Sequence, residues 1–73
     1  MSSLRVQLGA IDDGLITNER SIQRVEHLIV RLSEGDEDRE RARRLLVHLT
    51  GIRRRFEAIR LDLVNELAKA DRT

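Results

Sequence analysis

Residues 37–70, EDRERARRLLVHLTGIRRRFEAIRLDLVNELAKA, decide the fold, and no proline interrupts them. Apolar side chains recur in this stretch at alternating spacings of three and four residues, which is the pattern of the a and d positions of a heptad repeat. The residues at these positions are Ala42, Leu45, Leu49, Ile52, Phe56, Ile59 and Leu63. The pattern predicts one long helix whose apolar stripe must be covered by another element.

The first part of the chain carries a second stripe of the same kind, which predicts a helix over residues 3–33. The alternation of three and four continues there without a slip, through Leu4, Leu8, Ile11, Leu15, Asn18, Ile22, Val25, Ile29 and Leu32. Gly9 and Gly14 lie inside this helix, and each lowers helix stability by about 1 kcal/mol relative to alanine. A later start at Asp12 or Asp13, which are good N-cap residues, is therefore the alternative.

The break between the two stripes is Ser33-Glu34-Gly35-Asp36. Gly35 can adopt the left-handed conformation that ends a helix, and Asp36 can cap the next one. Because so short a connection brings consecutive helices side by side, the fold class is predicted to be all-α, an antiparallel two-helix hairpin resembling a coiled coil. We expect a single domain over residues 1–73, with helices at 3–33 and 37–70 and a turn at 33–36.

Folding the chain at Gly35 brings the two stripes level, with an a position opposite a d position in every layer. On one flank Asp12 then lies near Arg60 and Glu19 near Arg53. The polar residue Asn18 falls opposite the aromatic Phe56. Two explanations are open: Asn18 and Gly14 make room for the ring, or Asn18 fixes the register or the number of partners.

Size and composition indicate that the hairpin associates with other helices. A chain of 73 residues forms one small domain with a marginal core, and without cysteine it has no disulfide to stabilise it. We therefore expect a four-helix bundle, completed by homodimerisation or by a larger protein partner. The lack of cysteine suits a cytoplasmic location, and no apolar run approaches the roughly 20 residues that span a membrane.

A contact surface for that partner is predicted on the flank of the first helix that is small and uncharged, together with apolar residues outside the heptad stripe. Small residues allow another helix to approach closely. The predicted partner-binding residues are Gly14, Ser21, Leu28, Leu46, Val47, Leu61, Val64 and Leu67.

Nucleic-acid binding by a dimer of hairpins is the alternative. Residues 37–70 contain nine basic and six acidic residues, and Arg53, Arg54, Arg55 and Arg60 would be the residues that contact phosphate. Acidic residues interleave these arginines, and the formal net charge of the whole chain is only +1. A solvated face held by salt bridges explains the same arginines.

Catalysis and metal binding are not predicted. His27 and His48 are the only histidines, and two imidazoles without a third ligand make a weak metal site. Capping explains the carboxylates around Gly35, and the serines have no base at a suitable spacing. The sequence therefore predicts a non-enzymatic protein–protein interaction module, such as a small adaptor, chaperone or assembly subunit, which needs no cofactor.

Overall fold

Two long helices pack against each other in the computed structural model, which describes residues 3–71. Helix α1 spans Ser3–Arg31 and helix α2 spans Glu37–Asp71. The hairpin measures 58 × 15 × 13 Å, and its described residues contain no strand. The prediction of an all-α two-helix hairpin is thus confirmed for this part of the chain. Residues 1–2 and 72–73 of the predicted domain lie outside the described part.

Helix α1 begins at Ser3 and continues without interruption through Gly9 and Gly14, so the alternative start at Asp12 or Asp13 is wrong. Packing of an apolar face supplies more helix stability in proteins than intrinsic propensity does, and α1 packs along α2 over this region. The helix ends at Arg31, two residues before the predicted end. The N–H of Leu32 is shared between the carbonyl oxygens of Leu28 and Ile29, at 3.1 and 3.3 Å, which tightens the last turn.

Gly35 and Asp36 form the turn between the helices, the first through its backbone conformation and the second as a helix cap. Gly35 has φ of 84°, in the left-handed region, and the N–H of Asp36 donates to the carbonyl oxygen of Ser33 at 3.2 Å. The Asp36 carboxylate accepts a hydrogen bond from the Asp38 N–H at 2.8 Å and so caps α2. The Glu34 carboxylate lies 3.2 Å from a guanidinium nitrogen of Arg39, which ties the turn to the first turns of α2.

Few of the described side chains are buried between the two helices. The buried apolar residues are Ile22, Val25, Ala42 and Leu63, and no described side chain is less than 2% exposed. Leu45 and Ile59, which the heptad pattern assigns to the covered stripe, remain 47% and 43% exposed. Helix α1 covers the a positions of α2, which are Ala42, Leu49, Phe56 and Leu63, and the adjoining residues on one side. The d positions, which are Leu45, Ile52 and Ile59, therefore lie at the edge of the contact.

The centre of the hairpin contains Asn18, Gly14 and Phe56, and both explanations of Asn18 find a contact there. A methyl group on Gly14 would come within 2.9 Å of Cε2 of Phe56, so this glycine makes room for the ring. The buried Asn18 donates from Nδ2 to the carbonyl oxygen of Leu49 at 3.1 Å. This bond joins a side chain of α1 to the backbone of α2 and therefore favours one register.

Candidate interaction surface

One side of the hairpin, which we call the paired flank, is closed by ion pairs between the helices. Nε of Arg60 lies 2.7 Å from Oδ1 of Asp12, and Nη1 of Arg53 lies 3.4 Å from Oε2 of Glu19. Both pairs are the ones that the antiparallel alignment predicted, and both are confirmed. Their side chains are partly exposed, so each pair contributes about 0.2 to 1 kcal/mol and selects the alignment more than it stabilises the fold.

The other side, which we call the open flank, carries apolar residues without ion pairs between the helices in the part of the chain that the structure describes. It consists of Gly14, Ser21 and Leu28 from α1 and of Leu45, Ile52 and Ile59 from α2. Each set recurs every seven residues, so its members lie along one line of their helix. Leu28, Leu45 and Ile59 are large apolar side chains that are exposed by more than two fifths. The open flank is thus an apolar strip that the hairpin covers only in part, since Gly14, Ser21 and Ile52 are half-buried.

Near the turn, the open flank deepens into an apolar groove. Val25 and Ala42 are buried at its floor, while Leu28 and Leu45 form its walls. Leu32 closes the groove toward the turn, with Asp38 and Arg41 at its rim. The groove lies between the two helices and is open to solvent.

A row of basic residues runs beside this groove on the outer face of α1, which we call the basic row. Its members, Arg20, Arg24, His27 and Arg31, recur at spacings of four, three and four residues. They line a shallow depression together with Gln23 and Leu28, and Leu28 also forms a wall of the apolar groove. None of the three arginines lies within ion-pair distance of a carboxylate among residues 3–71.

The partner-binding residues predicted on α1 lie on or beside the open flank. Leu28 is exposed and belongs to the groove, and Ser21 is half-buried on the same line. Gly14 lies against the ring of Phe56 from the same chain, so its close approach is made within the hairpin. Of these three residues, Leu28 has the most apolar surface left for another molecule.

The partner-binding residues predicted on α2 do not form one patch with Leu28. Leu46 and Val47 line a separate depression with Thr50, Gly51 and Arg54. Val47 follows Leu45 by two residues and therefore lies about 200° around the helix from it. Leu61 and Val64 are exposed near the other end of the hairpin, and Leu67 is half-buried there.

The arginines of the nucleic-acid alternative are divided between different faces of α2. Arg53 and Arg60 are engaged in the paired flank, and Arg53 also lies 3.7 Å from Glu57. Arg54 and Arg55 have no ion pair with a described carboxylate, but consecutive residues on a helix point about 100° apart. The arrangement therefore does not give a single patch of four free guanidinium groups.

Two features of the surface were not predicted from the sequence. Leu45 and Ile59 were assigned to the covered stripe, since a heptad pattern treats every a and d residue alike. The basic row was missed because residues 1–33 contain four basic and four acidic residues and look balanced. The spacing of the charges would have revealed it, since Asp12, Glu19 and Glu26 recur every seven residues on the paired flank.

Comparison of the chain with protein family models, with curated proteins and with solved structures found no match. Within residues 3–71, no helix combines the length and the apolar character needed to cross a membrane. The same residues contain no group of three or more His, Cys, Asp or Glu side chains placed to hold a metal ion.

Proposed function

We propose that this chain is a non-enzymatic protein–protein interaction module that acts by packing a further helix, or a second hairpin, against its open flank. An adaptor, a chaperone and an assembly subunit all use such a surface. The bundle formed in this way contains three or four helices, and the added helices come from a second copy or from a larger partner. We propose the cytoplasm as the compartment, because a chain without cysteine does not depend on an oxidising one.

The observation that supports the proposal is the exposure of two of the seven stripe residues of α2. Leu45 and Ile59 stand at core positions of a heptad, yet each is more than two fifths exposed. Burial of apolar surface contributes about 25 cal/mol per Å², so a helix that covers both residues together with Leu28 gains free energy that the hairpin leaves unused. The charged residues of the paired flank offer no comparable gain.

The shape of the surface also favours binding over catalysis. The depressions beside Leu28 and Leu45 are shallow and open to water, and their lining is apolar or arginine-rich. Electrostatic catalysis depends on a water-excluded site with preorganised polar groups. A long apolar groove instead matches the stripe of an amphipathic helix.

The proposal is tested with a synthetic peptide of about 21 residues that has leucine at its a and d positions and glutamine elsewhere. We expect this neutral peptide to bind the chain, or the chain to bind itself, as measured by fluorescence anisotropy and by sedimentation velocity. Leu45→Asp should abolish either association, because it puts a charge in the wall of the apolar groove. Val47→Asp, on the opposite face of α2, is the matched control and should change neither.

The proposal fails if the chain neither binds the neutral peptide nor associates with itself at concentrations up to about 100 µM, since weaker contacts fall below the affinity of specific interfaces. It also fails if the two aspartate variants lose association equally, because the contact would then lie away from the open flank.

A further inference from the structure

We propose that the occupant of the open flank is an acidic amphipathic helix from another protein. Its apolar stripe lies in the groove between Leu28 and Leu45, and its carboxylates face the basic row. This inference rests on the proposed function and adds to it the chemistry of the partner.

The apolar strip sets the length and the direction of the occupant. Leu45, Ile52 and Ile59 lie on one line of α2, and at 1.5 Å per residue the line is about 21 Å long. Leu28 and the buried Val25 face the same groove from α1. A helix of about four turns that runs along this strip would bury its leucine or isoleucine side chains against both helices.

The charges beside the strip are mostly basic near the turn, where Asp38 at the rim of the groove is the acidic exception. The basic row supplies Arg20, Arg24 and Arg31, which have no ion pair with a described carboxylate. On the α2 side of the strip, Arg41, His48 and Arg55 recur every seven residues and are all exposed, and the same line continues to the exposed Asp62 beside Ile59. Arg41 is the member with partners, at 3.5 Å from Asp38 and 3.9 Å from Glu37 on its own helix. A helix with glutamate or aspartate on both sides of its apolar stripe complements this pattern.

A second copy of the chain fits the same flank less well. In a two-fold symmetric dimer the same surface patch meets itself, so the residues that border the strip in one protomer face those of the other. Here the half of the strip near the turn has basic borders on both helices, with the basic row on α1 and Arg41 and His48 on α2, whereas the exposed Asp62 continues the α2 border at the other end. Two copies with their turns at the same end therefore bring like charges together, and only the opposite orientation relieves this by bringing Asp62 of one copy toward Arg41 of the other.

The experiment compares two further peptides, which keep the leucines of the neutral peptide and carry either glutamate or lysine beside the stripe. We expect the glutamate peptide to bind at least tenfold more tightly than the lysine peptide in 50 mM salt, as measured by fluorescence anisotropy. The difference should shrink at 500 mM salt, because screening weakens partly exposed charge pairs. Equal affinities, or tighter binding of the lysine peptide, would overturn the inference.

A pair of matched charge reversals locates the contact. Arg24→Glu in the basic row should weaken binding of the glutamate peptide about threefold to tenfold, as expected for loss of an attractive rim charge and gain of a repulsive one. Arg54→Glu changes the net charge equally, from an arginine that also lacks an ion pair with a described carboxylate, but on the outer face of α2. It should change binding less than twofold, and an equal loss in both variants would contradict the placement.

Failure of this inference is distinguishable from failure of the proposed function. A stable dimer that Leu45→Asp dissociates, with the glutamate peptide excluded, assigns the open flank to a second copy and overturns the acidic helix alone. A 20-base-pair DNA duplex that binds more tightly than the glutamate peptide, and is released by Arg24→Glu, overturns it in favour of nucleic acid. If neither the peptides nor a second copy binds, both proposals fail.

Discussion

The two flanks of the hairpin belong to the same pair of helices but differ in the residues at the edge of the apolar contact. On the paired flank, Arg53 and Arg60 of α2 reach Glu19 and Asp12 of α1 and cover the edge of the apolar contact. On the open flank, α1 offers small or uncharged residues, and Leu45 and Ile59 of α2 remain exposed at the edge. The heptad pattern therefore locates the apolar residues, whereas the flanking residues decide how many of them the hairpin itself covers.

The paired flank mainly sets the alignment of the two helices, whereas the open flank holds the unused free energy of burial. Partly exposed ion pairs contribute little each, so the paired flank mainly excludes other alignments of the two helices. The open flank carries the apolar surface whose burial would release free energy. The proposed interaction module would hold its own shape with the paired flank and bind its partner with the open flank.

The largest expected effect is in the core that both flanks share. Ile22 is only 4% exposed, and Ile22→Ala should lower the free energy of unfolding by about 3 kcal/mol, because it removes buried methylene groups and leaves a cavity. Ile16 is an exposed isoleucine of the same helix, and Ile16→Ala should change stability by less than about 0.5 kcal/mol. Urea unfolding followed by circular dichroism measures both, and similar losses in the two variants would show that the contact surface of α1 lies elsewhere.

The next effect concerns the centre of the hairpin, where the Phe56 ring lies against Gly14. The ring is half-buried, so Phe56→Ala should cost about 2 kcal/mol, which is below the range for a fully buried phenylalanine.

The contact between the two residues is tested by a double-mutant cycle. In the Phe56→Ala background, Gly14→Ala should gain about 1 kcal/mol from helix propensity. In the native background the added methyl group meets the ring, so the gain should be smaller or reversed. Equal effects of Gly14→Ala in both backgrounds would contradict the contact.

A smaller effect measures how much of the open flank the hairpin covers by itself. Leu45→Ala in the isolated chain should cost about 1 kcal/mol, because roughly half of the side chain is already exposed to water. Val47→Ala, at a residue that is 74% exposed, should be neutral or slightly stabilising. Denaturant unfolding gives both values, and a loss of 3 kcal/mol or more at Leu45 would mean that the open flank is covered in solution.

The smallest effect belongs to the paired flank. Arg60→Gln should lower the free energy of unfolding by about 0.5 kcal/mol at low salt, and the loss should decrease at high salt because the Asp12–Arg60 pair is partly exposed. Arg24→Gln removes an arginine without an ion pair to a described carboxylate and should leave stability unchanged within error. A loss at Arg24 that matched the loss at Arg60 would remove the distinction between the two flanks.

Much of the fold was predictable because its signals are local and repeated. The long alternation of spacings in 37–70 identifies the helix, and Gly35 followed by Asp36 marks the turn through their own backbone and capping chemistry. The ion pairs followed once the turn was placed. The start of α1 was less certain, since Gly9 and Gly14 oppose a helix that packing against α2 maintains.

The candidate surface was predictable only in part. The sequence identifies Leu28 as the large apolar residue on an uncharged flank, but it assigns Leu45 and Ile59 to the covered heptad stripe. A charge count over the whole first helix gives a balanced total and does not reveal the basic row. Finding the exposed Leu45 and Ile59, and finding the basic row, required knowing which face of each helix is turned to solvent.

The sequence by itself determined two helices, the glycine turn between them and the antiparallel alignment, because periodicity, capping and charge spacing are properties of neighbouring residues. Only the tertiary structure decided how far α2 is rotated about its own axis, and hence which side of its stripe stays exposed. That rotation depends on several weak contacts acting together: the Phe56 ring against Gly14, the Asn18 hydrogen bond to the Leu49 carbonyl oxygen, and the ion pairs of one flank. Their balance depends on three-dimensional packing, which no local pattern of residues specifies.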